Sequence, residues 1–230
     1  MSNPSRFHLV CEGPTDRIVI EAAIRSLLGG SDFILTQIQP ETSLFAGNAG
    51  PHGGGWKGVR SWCYSMVAES GSLRDSSALV FADLLIVHID ADVADENEVS
   101  CGKPCPPASH TTDSLRAVLL GWAGETILPA KVVFCTPSKN TESWVVAALY
   151  PNDRIISAGI ECHANPAAIL CSKTAPQRLV RRKDNRYRKL EDRYKAKATV
   201  FTNAWNSIRK ICSEAERFSV EFETALPDSP

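Results

Sequence analysis

The chain has 230 residues, 43% of them hydrophobic and 22% charged, and a formal net charge of −1 at pH 7. These totals describe a globular protein with an ample core. They exclude global disorder and any bulk positive charge that would draw the whole molecule to nucleic acid or membrane. The charge is unevenly spread, however: residues 1–110 carry 13 acids and 7 bases, whereas residues 173–197 carry 11 bases and 3 acids. No apolar run approaches the roughly 20 residues of a membrane span. The opening Met1–Arg6 is too short and polar for a signal peptide. Eight cysteines lie scattered, several of them (Cys11, Cys63, Cys135) inside apolar runs where a reduced thiol is a small core residue. A cytoplasmic location is the simplest expectation.

Phe7–Cys11 reads as a short apolar strand ending in the turn Glu12-Gly13-Pro14-Thr15-Asp16. Thr15 can cap a helix there, and Asp16 sits at its positive end. Ile20, Ile24, Leu27 and Leu28 recur at helical spacing before Gly29-Gly30 stops the helix. Phe33–Ile38 is a second strand, so the opening is a βαβ unit. The glycine-rich stretch Gly47–Gly58, with Lys57, is either a plain loop or a backbone cradle for phosphate ahead of a helix at about Val59–Ala68.

Leu84–Asp92 (LLIVHIDAD) is the central strand of this reading: apolar except for His88 as far as Ile89, then two carboxylates two apart. A β-branched run of this kind suits a strand buried on both faces of a parallel sheet. Residues i and i+2 share a strand face, so Asp90 and Asp92 are expected to point together from the carboxyl end, where open α/β sheets bind ligands. His88 is expected to be a hydrogen-bonded core histidine rather than a ligand. Cys101, Cys105 and His110 resemble part of a zinc site, but the second ligand pair of a structural zinc is absent. Ser114–Trp122 reads as an amphipathic helix and Lys131–Cys135 as another buried strand. Ser138–Thr141 then offers caps for a helix to about Tyr150, with Glu142 in its first turn. Beyond residue 150 the strand signal fades. Pro166–Leu170 suggests a short helix, Arg178–Lys197 is basic with Tyr187 and Tyr194 interleaved, and Phe201–Leu226 reads as one or two amphipathic helices. The expectation is an α/β fold with a mostly parallel sheet of about four strands flanked by helices over 1–150. A helical, basic C-terminal extension over 151–230 completes it.

Parallel strands alternating with helices bring their carboxyl ends to one edge. Glu12, Asp90, Asp92 and Glu142 would meet there and repel one another unless a cation lay between them, which makes Mg²⁺ or Mn²⁺ the expected cofactor. Glu12-Gly13-x-Thr15-Asp16 opening a helix, followed by a buried strand ending Asp90-x-Asp92, resembles the TOPRIM domain of topoisomerases, primases and overcoming-lysogenization-defect nucleases. With Pro137–Trp144 and the basic tail, the chain is similar to small bacterial stand-alone TOPRIM-like proteins. The sequence departs from many TOPRIM domains at Ala94, where those have a third acid. There is no room for a topoisomerase tyrosine domain, and no primase zinc or polymerase portion.

The resemblance implies a metal-dependent nuclease, a toxin or effector of phage defence partnered by an ABC- or SMC-like ATPase. Glu12, Asp90 and Asp92 would be metal ligands, and Glu12 is also the candidate general base. Glu142 would assist, and Lys139 or Lys57 would neutralise charge on the phosphate. The basic arm, comprising Arg178, Arg181, Arg182, Lys183, Arg186, Arg188 and Lys189, would contact phosphates, with Tyr187 and Tyr194 stacking on bases. No membrane partner is expected, and a homodimer is left open. The rival readings are a non-catalytic nucleic-acid- or trigger-binding subunit of the ATPase, a glycosyltransferase, and an aspartate-nucleophile phosphatase. The phosphatase lacks the Thr its pattern needs after Asp92.

Overall fold

The computed structural model describes residues 3–41 and 50–226. Four strands, β1 (Ser5–Val10), β2 (Phe33–Gln39), β3 (Leu84–His88) and β4 (Val132–Cys135), pair in parallel in the order β2-β1-β3-β4. The connecting helices are α1 (Pro14–Leu27), α2 (Gly55–Ser70) and α3 (Ser109–Trp122). After β4 come α4 (Glu142–Leu149), the one-turn α5 (Arg154–Ser157) and α6 (Pro166–Ser172). A hairpin of β5 (Val180–Lys183) and β6 (Arg186–Lys189) leads into the long α7 (Glu191–Ile211) and α8 (Ser213–Ala225).

The sheet is buried on both faces, and β3 shows why its sequence is a continuous apolar run rather than an alternating one. Leu84 and Ile86 enter a core shared with Val19, Trp144, Trp205 and Phe218, whereas Leu85 and Val87 enter a second core with Val59, Trp62 and Leu115. The C-terminal helices belong to the first of these cores. Helix α7 lies across α1 and α4, and α8 packs on β4. Trp144 meets Trp205 edge-on at 5.4 Å, and Phe7 meets Phe222 likewise at 5.3 Å. Such contacts add to the burial of large apolar rings. No helix among the described residues is long and apolar enough to cross a membrane.

The chain leaves β1 for β2 on one side and returns for β3 on the other. The switch point of the sheet therefore lies between the carboxyl ends of β1 and β3, where crevices open in such sheets.

Three expectations are corrected. The central strand stops at His88, and Ala91–Asp95 is a 3₁₀ turn whose N-cap is Asp90. Its neighbour β4 runs into Pro137, which has no N–H to continue the ladder. Only one-sided bonds persist, from the N–H groups of Ile89, Ala91 and Asp92 to the carbonyls of Cys135, Pro137 and Lys139 at 2.8–3.1 Å. The basic segment is not wholly helical, because residues 180–189 form the β5–β6 hairpin. It turns through Asp184-Asn185, at φ 49° and 57°, the left-handed pair that a two-residue hairpin requires and that Asp and Asn tolerate. Finally, Cys105 is tied to Cys162 in a disulfide with a Cα–Cα distance of 5.5 Å, which removes it from the zinc set of Cys101, Cys105 and His110. The expected glycine-rich stretch extends over residues 47–49, outside the described residues; the rest of it leads directly into α2, which begins at Gly55.

Candidate metal centre

Three local features deliver carboxylates to the switch point. Glu12 follows β1, and its Oε1 accepts the Asp90 N–H at 2.7 Å, which stitches the ends of β1 and β3 together. The Gly13 N-cap is extended and Pro14 opens α1, as suits a first helical position. Asp16 then falls in the first turn and is 3% exposed. Beyond β3, the 3₁₀ turn leaves Asp90 buried and Asp92 exposed at the rim. After β4, the 136–141 segment curls back so that Thr141 donates its N–H to Asp90 Oδ1 at 3.0 Å and its hydroxyl to Asp16 Oδ1 at 2.6 Å. Glu142 begins α4 and is fully buried beneath this junction.

His88, the last residue of β3, is also fully buried. Its Nε2 lies 3.2 Å from Asp90 Oδ1, and its Nδ1 has no hydrogen-bond partner among the described residues. Asp16, His88 and Asp90 each offer one ligand atom, and these atoms lie within 4.8 Å of one another. A cleft of about 310 Å³ opens onto the cluster, lined among others by Glu12, Asp16, Gly55, Asp90 and Lys189.

A lysine shares this cluster. Lys189, at the end of β6, places its ammonium 3.1 Å from Asp16 Oδ1 and 2.9 Å from Glu142 Oε1, while its side chain as a whole remains 31% exposed. The Tyr194 hydroxyl, one turn into α7, donates to Glu142 Oε1 at 2.9 Å, and its ring is fully buried, which corrects the expectation that it stacks on bases.

The electrostatics follow from this crowding. Burial, then the charges of Asp90 and Asp16, hold Glu12 well above the usual carboxylate range, against the opposing Asp90 N–H. Asp92, exposed by area but hemmed in on its inner side, is pushed up to about 7 by desolvation and then by Asp90. Burial raises Glu142 more than Lys189 lowers it. Asp16 goes the other way: burial would raise it, but Lys189, His88 and the Thr141 hydroxyl together hold it down. Burial opposes a charged His88, yet the hydrogen bond and charge of Asp90, with Asp16 beyond, raise it overall. Five carboxyl groups thus face one lysine and one histidine.

The donor set fits a divalent cation. The cluster is short of positive charge, a buried imidazole nitrogen lacks a partner, and the three candidate ligand atoms are close enough to converge on one ion. The structure therefore contains a buried Asp-His-Asp cluster that could coordinate a metal ion.

The residues expected from the sequence are distributed as follows. Glu12 and Asp90 meet directly, Asp92 stands at the rim, and Glu142 joins through Lys189. Lys139 adopts φ 63° and reaches Asp95 at 3.9 Å rather than the cluster. Lys57 pairs with Glu98 at 2.5 Å on the surface, beside Arg60 at 2.7 Å. Arg178 bonds the Lys173 carbonyl at 3.3 Å. Arg181, Arg182, Lys183, Arg186 and Arg188 are exposed along the hairpin. His88 is the buried, hydrogen-bonded core histidine that the sequence suggested, and it also joins the candidate ligand set, as does Asp16, which sequence reasoning assigned to the helix dipole alone. A signal existed for each: Asp16 follows Glu12 by one helical turn, and His88 stands two before Asp90 on the same strand face. Nothing local marked Lys189. Comparison with protein-family models, with curated proteins and with solved structures finds no match.

Proposed function

We propose that the chain is a TOPRIM-like, metal-dependent phosphodiesterase acting on nucleic acid, with the acid cluster as its catalytic centre. The observation that carries this reading is the convergence of Asp16, His88 and Asp90 beside Glu12 at the switch point of a parallel sheet. A divalent ion held by Asp16, His88 and Asp90 would supply Lewis acidity toward a phosphoryl oxygen and toward water. The imidazole in the set favours Mn²⁺ over Mg²⁺, which prefers oxygen ligands alone. Glu12 lines the cleft, and its raised affinity for protons suits it to take one from an attacking water and return it to the leaving oxygen. Thr141 holds the Asp16 and Asp90 carboxylates in place with its hydroxyl and N–H. Asp92, at the rim, would meet the ion or its waters from outside.

The hairpin supports nucleic acid as the substrate class. Arg181 faces Arg188 and Lys183 faces Arg186 across the two strands, so four cations share one ribbon face. Like charges placed directly opposite destabilise a hairpin, and among the described residues no ion pair engages any of the four. A polyanion laid along that face would relieve the repulsion and release its own counterions. The ribbon ends at Lys189, which lines the cleft from the opposite ribbon face. An ATPase subunit of ABC or SMC-like type is the proposed partner that would govern access.

The test is hydrolysis of plasmid, linear duplex, single-stranded DNA and RNA in Mn²⁺ or Mg²⁺, with Asp90→Ala and Glu12→Ala beside the native chain. Cleavage by the native protein that both variants lose supports the reading. If no substrate is cut with or without the ATPase, and the variants retain biological activity, the chain is a binding subunit instead.

A further inference from the structure

A centre built from five carboxyl groups has the charge for two divalent ions, and paired ions in phosphodiesterases lie about 3.5–4 Å apart with carboxylates between them. The arrangement around Asp16 has this form with one member replaced. Asp16 belongs to the Asp16-His88-Asp90 donor set, and its Oδ1 also meets the Lys189 ammonium, which binds Glu142 as well. We infer that Lys189 is a built-in counter-ion occupying the second cation position, so that this centre takes a single divalent ion. The inference rests on the metal-dependent reading above and specifies the stoichiometry of that same site.

Several features make the lysine a fixture rather than a passing surface contact. Its two carboxylate partners are 3% and 1% exposed, so bulk solvent competes little for either. Asp16 Oδ1 is shared with the Thr141 hydroxyl and Glu142 Oε1 with the Tyr194 hydroxyl, so the ammonium enters an existing hydrogen-bonded network. Lys189 also pairs with Val180, a fully buried residue, at the open end of the hairpin, and the Leu190 N–H donates to the Leu179 carbonyl at 2.8 Å. The base of the ribbon is thus anchored exactly where the ammonium enters. The remaining candidate donors, one from His88 and one from Asp90, stand together, with His88 Nε2 3.2 Å from Asp90 Oδ1, and are left with Asp16 for one ion.

Mn²⁺ bound per chain, counted by calorimetry and by the loss of the free-ion paramagnetic resonance signal, tests this without reference to activity. The native protein and Lys189→Arg are expected to hold one Mn²⁺. Lys189→Met is expected to hold two, because Asp16 and Glu142 are released together. In Lys189→Met with Glu142→Gln the second site is incomplete, and the count returns to one. Lys189→Met leaves two buried carboxylates unpaired, so its melting temperature should fall in chelator and recover with Mn²⁺ by more than that of the native chain. Two ions on the native protein, or one on both it and Lys189→Met, would overturn the role of Lys189 while the metal reading stands. No Mn²⁺ on any of the chains would remove the metal reading itself, and the one-ion count with it.

Discussion

Single side chains in the acid cluster are set by their neighbours more than by their own chemistry. Asp92 shows this through pH. Its folded carboxyl titrates at about 7 against an ordinary 3.8, so between these values the folded chain holds more protons than the unfolded one. Its contribution to stability is therefore full below about pH 4 and is lost as pH rises toward 7. Urea midpoints in chelator should show this decline, Asp92→Asn should flatten it, and saturating Mn²⁺ should flatten it in the native chain. A decline unchanged in Asp92→Asn would assign it to another group. For His88, Gln can still donate to Asp90 but cannot serve as an imidazole ligand. His88→Gln should weaken Mn²⁺ binding on the order of 10-fold or more in titration calorimetry, with the fold retained by circular dichroism. These roles were partly legible in the sequence. Glu12 and Asp90 were visible because strand ends advertise themselves, whereas Asp16 and His88 had credible local duties that concealed their place in the cluster.

At the scale of elements, a contact made late in the chain holds an earlier part in register. Arg116 on α3 is 8% exposed, donates to the Phe134 carbonyl at 3.0 Å, and grips both Glu221 oxygens on α8 at 2.6 and 2.7 Å. It clamps α8 over β4, the edge strand. Arg116→Met leaves the Phe134 carbonyl without its donor and Glu221, 25% exposed, with only Arg217 at 3.2 Å, so it should cost on the order of 1–3 kcal/mol by chemical denaturation. The paired replacement with Glu221→Leu should cost less than the single one, and an equal or larger loss would mean that the charge pair is not the source. The β5–β6 ribbon behaves oppositely, since its four-cation face works against its own stability. Changing Arg181, Lys183, Arg186 and Arg188 to Gln should leave the melting temperature unchanged or higher. If the face binds nucleic acid, the same variant should flatten the dependence of log affinity on log salt by up to about 3–4 units. A slope that stays put would show that phosphates do not contact this face. Strands and helices up to residue 150 were readable because apolar periodicity marks them. The hairpin was not, since its only apolar anchor is Val180 and its remaining strand residues are charged or Tyr187. The left-handed Asp184-Asn185 turn was the one local sign.

Across the whole molecule, the C-terminal helices complete the core on the α1 face of the sheet, and a covalent tie reinforces them. Glu161 caps α8 by accepting the N–H groups of Ser213 and Glu214 at 2.8 and 2.7 Å, and its neighbour Cys162 is joined to Cys105. The bridge closes a span of 57 residues, which in the chain-entropy account stabilises by up to about 4 kcal/mol. Reduction, or Cys105→Ser, should lower the melting temperature by several degrees. An unchanged transition would mean that the thiols are not paired in solution. What the sequence determined by itself was the class of fold and the edge at which its chemistry would gather. Runs of apolar residues and the carboxylates ending them are short-range signals, and parallel topology carries them to one side. Only the tertiary structure decided the membership of the cluster. Lys189 is 173 residues from Asp16 along the chain, and only the packing of α7 against α1 and α4, and of the hairpin against α6, brings its charge to the carboxylates that lacked one.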